Sequence, residues 1–397
     1  MRKLTIIFHH AGGGHRSTAE ALKATLTTQE RPWDVELLNI QDLLGPLDVL
    51  GKATGLQIED AYNLILRKGW TRPTPQLLVL LQSVIRAYHK QIVKSLRNYW
   101  AQHPTDLALS VIPHFDREIA DSLSGGDQYV PFVTLLTDLA DYPPRFWIEP
   151  NSEYIIAGTE RAKQQAFEMG HPTDHVFEVS GMVLKPKFYE KSSIDRAAER
   201  KRHGLEPDCP TGIVLFGGHG SKVMLDIVKR LDRANAAVQL ILICGHNKKL
   251  AAQLKALRTK KPMLIEGFTS NVEYYMAMAD FFIGKPGPGS ISEALQLHLP
   301  VIVECNARTL PQERYNAQWV TEKGYGIVLN NFKQIAEGVQ RLLEPSAFAE
   351  FRRRAGTYSN LALLEVPVIL DEVFKRAQKG RDRAAAREHA SAVQINQ

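Results

Sequence analysis

The chain has 397 residues, 44% of them hydrophobic and 23% charged, with a formal net charge of +6. That length suits two domains, and the ordinary globular composition excludes a wholly disordered chain, a collagen-like repeat and a small disulfide scaffold. Cys209, Cys244 and Cys305 are too few and too scattered for a disulfide framework or a zinc cluster, which points to a reducing cytoplasm.

The first residues, Met1-Arg-Lys-Leu-Thr-Ile-Ile-Phe8, have a basic start but an apolar run too short for a signal peptide, and they read as a strand. No stretch approaches the ~20 apolar residues that span a bilayer, so the expectation is a soluble or peripherally attached protein. Gly12-Gly13-Gly14-His15 follows the strand and precedes a helical pattern over 17–27. Glycines let the chain turn sharply and bring backbone N–H groups close to a ligand, and the helix behind them presents its positive end. The spacing is neither that of a P-loop nor that of the dinucleotide fingerprint. His15 is a candidate general base, because imidazole titrates near neutrality and a helix start favours its neutral form. His9 and His10 alternate onto opposite faces of the strand, and no carboxylate or cysteine spacing supports a metal site there.

Between Asp60 and Asp106 lie 45 residues without Asp or Glu, carrying Arg67, Lys68, Arg72, Arg86, Lys90, Lys94 and Arg97. Subtracting that +7 from the chain's +6 leaves −1 on the other 352 residues, so the basic excess is local. A helical period places Leu77, Leu81, Val84, Ile85, Ile92, Leu96 and Tyr99 on the face of Tyr88, and Arg86, Lys90, Lys94 and Arg97 on the opposite one. With Trp70 and Trp100 near its ends, the segment suits an anionic membrane surface; a solvated outer face on an ordinary packed helix is the competing reading. No recognition motif accompanies the charge, which argues against nucleic acid.

Strands are expected over 4–8, 35–39, 107–112, 132–136 and 154–157, then over 212–216, 239–244, 263–266, 281–283, 301–304 and 326–329. Helical stretches such as 222–234 and 291–298 alternate with them, which implies α/β architecture with parallel sheets covered on both faces. The break between the two blocks falls between Gly181 and Cys209. The Arg- and Ala-rich tail from about Gln378 is expected to fray.

Three further motifs open the second block. Gly217-Gly218-His219-Gly220 follows a strand and mirrors the first glycine loop. Gly284-Lys-Pro-Gly287-Pro288-Gly289-Ser290 turns from a strand into a helix whose first N–H groups suit a phosphate, with the Ser290 hydroxyl as an added donor. Glu293, one turn further, suits the two hydroxyls of a ribose. Pro311-Gln312-Glu313-Arg-Tyr-Asn316 offers donors and acceptors for sugar hydroxyls, although such a face is usually solvated surface.

Taken in order with Thr137-Asp-Leu139, Cys244-Gly-His246 and Glu266-Gly-Phe268, these pieces resemble the monogalactosyldiacylglycerol synthases and processive diacylglycerol glycosyltransferases. A more distant similarity is to the lipid-II N-acetylglucosaminyltransferase. The resemblance implies a glycosyltransferase B-type fold, two Rossmann-like domains facing a cleft: 1–185 for the acceptor and membrane, 186–357 for the nucleotide sugar, and 358–397 as a C-terminal helix and tail. It implies inverting transfer of a hexose from a UDP-sugar to a lipid hydroxyl such as that of diacylglycerol, with no cofactor or essential metal, at the inner face of the membrane. Carried over by residue, His15 is the base. Gly13, Gly14 and Gly218 lie by the substrate, with Gly218 near the diphosphate, and Phe268 lies by the uracil. Gly287, Pro288, Gly289 and Ser290 hold the phosphates, Glu293 the ribose, and Gln312, Glu313 and Asn316 the sugar. Arg67, Trp70, Arg86, Lys90, Lys94, Arg97 and Trp100 face the membrane. The chain departs from the pattern at His9-His10-Ala11, at Asp141-Tyr-Pro-Pro144 and at Leu310-Pro-Gln-Glu313. The same motifs leave open a sugar-nucleotide epimerase or hydrolase of this fold, and a non-catalytic UDP-sugar-binding protein at the membrane.

Overall fold

The computed structural model describes residues 1–10, 13–44, 85–124, 129–190 and 194–395. They form two α/β units: the described residues of 1–183 and 361–395 make the first, and those of 184–360 the second.

The first unit holds β1 (Arg2–Phe8), β2 (Trp33–Asn39), β3 (Leu107–Ser110), β4 (Phe132–Leu135), β5 (Tyr154–Ala157) and β6 (Val176–Glu178). They lie in the order β2-β1-β3-β4-β5-β6, every pair parallel. Leu4 stands beside Val35 on one side and Leu107 on the other. Every residue of β3, β4 and β5 is buried. Such uninterrupted apolar runs are what a parallel sheet needs when both faces are covered. β6 escaped the sequence reading because it is three residues long and only its first is buried.

The helix Ala362–Ile395 belongs to this unit although it follows the second in sequence. Its Asp371 carboxylate accepts from the Arg31 guanidinium and, at 2.8 Å, from the Trp33 indole, while the Phe374 ring meets Trp33 edge to face. The helix runs past Gln378, where the sequence suggested fraying; Ala and Arg are strong helix formers.

In the second unit β7 (Thr211–Leu215), β8 (Gln239–Ile243), β9 (Met263–Glu266), β10 (Phe281–Gly284), β11 (Val301–Glu304) and β12 (Gly326–Leu329) are parallel, in the order β12-β11-β10-β7-β8-β9. Read from the other edge this is the 3-2-1-4-5-6 order of the Rossmann fold, with its switch point between β7 and β10. In the first sheet the order turns between β1 and β3. Ligands of open parallel sheets bind beyond the carboxyl ends of the strands at such points. Beneath them, Val214, Leu242 and Ile283 pack with Met224, Ile227 and Leu250 into the second unit's core.

The amino end of β10 is fixed by a buried ion cluster. Asp280 accepts from Arg200 Nη2 at 2.7 Å, from Arg196 Nη1 at 2.9 Å and from the Thr211 amide at 2.8 Å. Arg200 also donates to the carbonyls of Met278 and Pro207. A cut of Asp280→Ala leaves the Arg200 cation buried without its partner, which should cost about 3–5 kcal/mol of stability in urea denaturation.

Candidate active site

At the first switch point Gly13 caps the helix Gly14–Thr28 at φ 77°, a left-handed conformation that favours glycine. The next turn brings the half-buried His15 back over the end of β3. Its Nδ1 lies 2.8 Å from the Val111 carbonyl and 2.9 Å from Thr137 Oγ1. A carbonyl only accepts, so Nδ1 carries the proton and Nε2 keeps its lone pair. Burial drives the His15 pKa down to about 4, against the opposing pull of the Val111 carbonyl, so the ring is neutral at ordinary pH.

Two more imidazoles gather here. His9 meets His15 edge on, with centroids 4.3 Å apart, and burial followed by His15 charge holds its own pKa well below the usual value. His114, at φ 75° after β3, packs on Phe146 at 4.4 Å and is pushed down to about 4, by burial first and His15 second. Trp147 lies 5.8 Å from His15 and donates its indole N–H to Asp138 at 2.9 Å. Asp141, in the stretch that departs from the family pattern, accepts the amides of Arg145, Phe146 and Trp147 and so shapes that wall. The sequence reading found His15 and the Thr137 segment but not the partnership of His9 and His114. The histidine-rich start was the only signal for it.

At the second switch point the loops after β7 and β8 lock together. The His246 amide donates to the Gly218 carbonyl at 2.9 Å. A β-carbon on Gly245, at φ 58°, would sit 2.1 Å from that same oxygen, so the contact tolerates glycine alone. His246 in turn stacks on Phe268, with centroids 4.1 Å and planes 14° apart. Phe268 is 60% exposed, an aromatic face held flat and open rather than packed away.

The helix Pro288–Gln296 starts beyond β10 with no side chain capping its N–H groups. Pro288 has no amide proton, which leaves Gly289 and Ser290 to present the first donors. Glu293 is half-buried, and burial raises its pKa to about 7, with Lys185 opposing and Glu273 adding to the shift. Gln312, Glu313 and Asn316 are buried, not the solvated surface that their spacing suggests in isolation. Asn316 Nδ2 donates to the Pro286 carbonyl at 2.8 Å, so its contribution runs through the glycine-proline turn. Glu313 Oε1 accepts from Lys285 Nζ at 2.5 Å.

The basic helix His89–Gln102 buries Ile92, Val93 and Leu96 and exposes Arg86, Lys90, Lys94 and Arg97 around it. Trp100 is turned inward, its indole N–H donating to Ser122 Oγ at 2.9 Å, and Tyr99 donates to Glu36. Arg67 and Trp70 lie outside the described residues, as does Gly12. Among the described residues no group of three His, Cys, Asp or Glu is placed to hold a metal ion, and no helix is long and apolar enough to cross a membrane.

The family model for the glycosyltransferase family 28 C-terminal domain matches residues 212–364, which hold the loops at Gly217–Gly220 and Gly284–Ser290, the Phe268 platform and the Pro311–Lys323 helix. Residues 212–364 are thus similar to the glycosyltransferase family 28 C-terminal domain. Its relatives include the chloroplastic monogalactosyldiacylglycerol synthase of Spinacia oleracea, 28% identical over 87% of this chain and 67% of that protein. Monogalactosyldiacylglycerol synthase 1 of Arabidopsis thaliana is 26% identical over 87% of this chain and 66% of its own. The chain thus spans about two thirds of these relatives' length. Among solved structures MurG of Acinetobacter baumannii aligns with a TM-score of 0.60 at 11% identity, over 94% of this chain and all of that one. A Medicago truncatula protein complexed with UDP-glucose aligns with a TM-score of 0.58 at 13% identity, over 94% of this chain and 98% of its own. The fold is that of the B-type glycosyltransferases.

The geometry at His15 is directly measurable. In ¹⁵N-edited NMR of the full chain, the His15 imidazole should be the Nδ1-protonated tautomer at pH 7 and titrate near pH 4. A free-histidine midpoint near ~6.5 is the contrary result.

Proposed function

We propose that the chain transfers a hexose, with inversion, from a UDP-sugar to the hydroxyl of a lipid such as diacylglycerol. The observation that carries this is a neutral imidazole held with its Nε2 lone pair available, in a glycosyltransferase whose family relatives are monogalactosyldiacylglycerol synthases. His15 takes the proton of the acceptor hydroxyl as its oxygen bonds to the anomeric carbon. The bond to the β-phosphate oxygen breaks with its electron pair, and UDP leaves from the opposite face. Gly218 and the helix start at Gly287–Ser290 cradle the diphosphate with fixed N–H groups, which stabilise charge without reorganising. Phe268 receives the uracil ring. Glu293 accepts the ribose hydroxyls as a carboxylate, the form it holds above about pH 7. Gln312 and Glu313 line the sugar, with Asn316 fixing the turn behind them.

The acceptor's source suggests the second half of the reading. A diacylglycerol is delivered by a membrane, and the exposed row Arg86, Lys90, Lys94 and Arg97 is the cationic face that an anionic bilayer would attract. We place the protein at the cytoplasmic face of such a membrane as a peripheral component. With Trp100 committed to Ser122, the attraction is electrostatic rather than aromatic.

The deciding assay follows UDP release from UDP-galactose and UDP-glucose with diacylglycerol in mixed vesicles. His15→Ala should lower kcat by about 10²–10⁴ and leave UDP binding within twofold. An unchanged rate would remove His15 from the chemistry, and release that does not depend on a lipid acceptor would favour a hydrolase. Reversing Lys90 and Lys94 together to Glu should weaken sedimentation with anionic vesicles by at least tenfold, from about 1 kcal/mol for each basic residue lost. Binding to neutral vesicles should not change.

A further inference from the structure

We propose that the helix Lys248–Lys255 and the loop after it form a second basic surface, on the second unit, that contacts anionic lipid headgroups. The proposal rests on the reading above that the chain works at an anionic bilayer, and it adds an attachment outside the unit that carries His89–Gln102.

Between Asp232 and Glu266 lie 33 residues without Asp or Glu, and they carry Arg233, Lys248, Lys249, Lys255, Arg258, Lys260 and Lys261. This window also holds +7. With both acid-free windows set aside, the remaining 319 residues carry −8, so the basic excess has two seats.

The fold turns the charge outward. Asn247 caps the helix, its side chain accepting from the Leu250 amide at 3.0 Å. Leu250 and Leu254 enter the core of the unit, and Ala251 and Leu257 pack against it. At about 100° per residue, Lys248 and Lys255 share the face opposite those leucines, with Lys249 beside them. Arg258 and Lys260 follow in the loop, and the Lys260 amide donates to Asp232 Oδ1 at 2.8 Å, which ties the loop to the helix end at Arg233. All six of these cations are exposed.

The nearby carboxylates are engaged elsewhere. Glu206 pairs with Lys261 at 2.8 Å, and Glu266 accepts from the Gly267 amide and the Tyr275 hydroxyl, each at 2.8 Å. Among the described residues, none of the six exposed cations has an ion-pair partner. Other solvated helices of this protein pair their charges: Arg353 and Arg354 with Glu350, Lys163 with Glu160, and Arg376 with Glu372. Lys248 and Lys249 moreover stand in a first turn that holds no acid, where the helix dipole disfavours cations. Helix stability therefore does not account for them.

Composition selects the partner. Protein interfaces are depleted in Lys and enriched in aromatic residues, and single-stranded nucleic acid is held by stacking on aromatic rings. Four of the six cations are Lys, and the window contains no Phe, Trp or Tyr. An anionic headgroup layer asks only for clustered positive charge, which is what the surface offers.

The test is sedimentation of the full chain with vesicles of phosphatidylcholine, with and without phosphatidylglycerol. Changing Lys248→Gln, Lys249→Gln, Lys255→Gln and Lys260→Gln together should weaken binding to the anionic vesicles by at least about tenfold. Binding to the neutral vesicles and the melting temperature should not change, since all four side chains are exposed. Arg at the same four positions should bind as the parent does, because the charge is kept. Equal binding of the Gln variant and the parent to anionic vesicles overturns the proposal; if Lys90→Glu with Lys94→Glu still weakens binding, the reading of the first unit stands. Vesicle binding unchanged, with a single-stranded oligonucleotide held by the parent and not by the Gln variant, would assign the surface to nucleic acid and also overturn it. Weakening by the Gln variant alone, with the Lys90 and Lys94 reversal silent, would support this surface and sink the one on the first unit. A parent chain that binds neither kind of vesicle overturns both.

Discussion

A parallel sheet sends the carboxyl ends of all its strands to one edge, and the loops there part where the strand order turns. Both sheets of this protein obey that constraint, and each closes the gap with a contact from one side of the turn to the other. In the first unit the His15 loop after β1 is tied to the Val111 carbonyl just beyond β3. In the second, the side chain of Lys285 after β10 lies against the Gly217 loop after β7. The side chains at both switch points are therefore held by backbone that the sheet has already fixed, which is a stiffer support than a free loop offers.

The same arrangement explains which polar groups the protein buries. Beneath the switch points the cores are aliphatic and aromatic, with Val214, Leu242 and Ile283 in one and Trp147 and Ile155 in the other. At the first site, Asp141 is enclosed by three backbone amides. Buried polar groups of this kind are costly unless satisfied, and once satisfied they fix a single conformation. Here they fix the loops, while the apolar layer carries the stability.

Much of the scaffold was legible in the sequence because parallel strands covered on both faces read as mainly apolar runs, and eleven of the twelve strands among the described residues overlap such an expected run. The exception, β6, is too short to show a pattern. The glycine loops were legible for a related reason: a backbone that must turn with positive φ, or pass another backbone as closely as Gly245 passes Gly218, accepts almost nothing else. What the sequence hid was anything made by distant partners. Gln312, Glu313 and Asn316 have the spacing of a solvated helix face, and only tertiary packing turns that face inward. Trp100 had the composition of a membrane anchor, yet its indole proton is used by Ser122. The three-imidazole cluster joins residues 9, 15 and 114, whose proximity no local pattern encodes.

The low pKa of His15 carries a consequence for the proposed reaction. A base with its pKa lowered to about 4 is unprotonated at neutral pH, but it is a poor match for the far less acidic hydroxyl of an alcohol. Early deprotonation would forfeit most of that difference. As the acceptor oxygen bonds to the anomeric carbon, it gains positive character and its proton becomes strongly acidic, so transfer to even a weak imidazole turns downhill. The structure therefore fits a reaction in which cleavage of the bond to the diphosphate leads and proton transfer follows. In that order the greater burden falls on the groups proposed to receive the leaving phosphate, the amides of the helix start at Pro288 and the Ser290 hydroxyl.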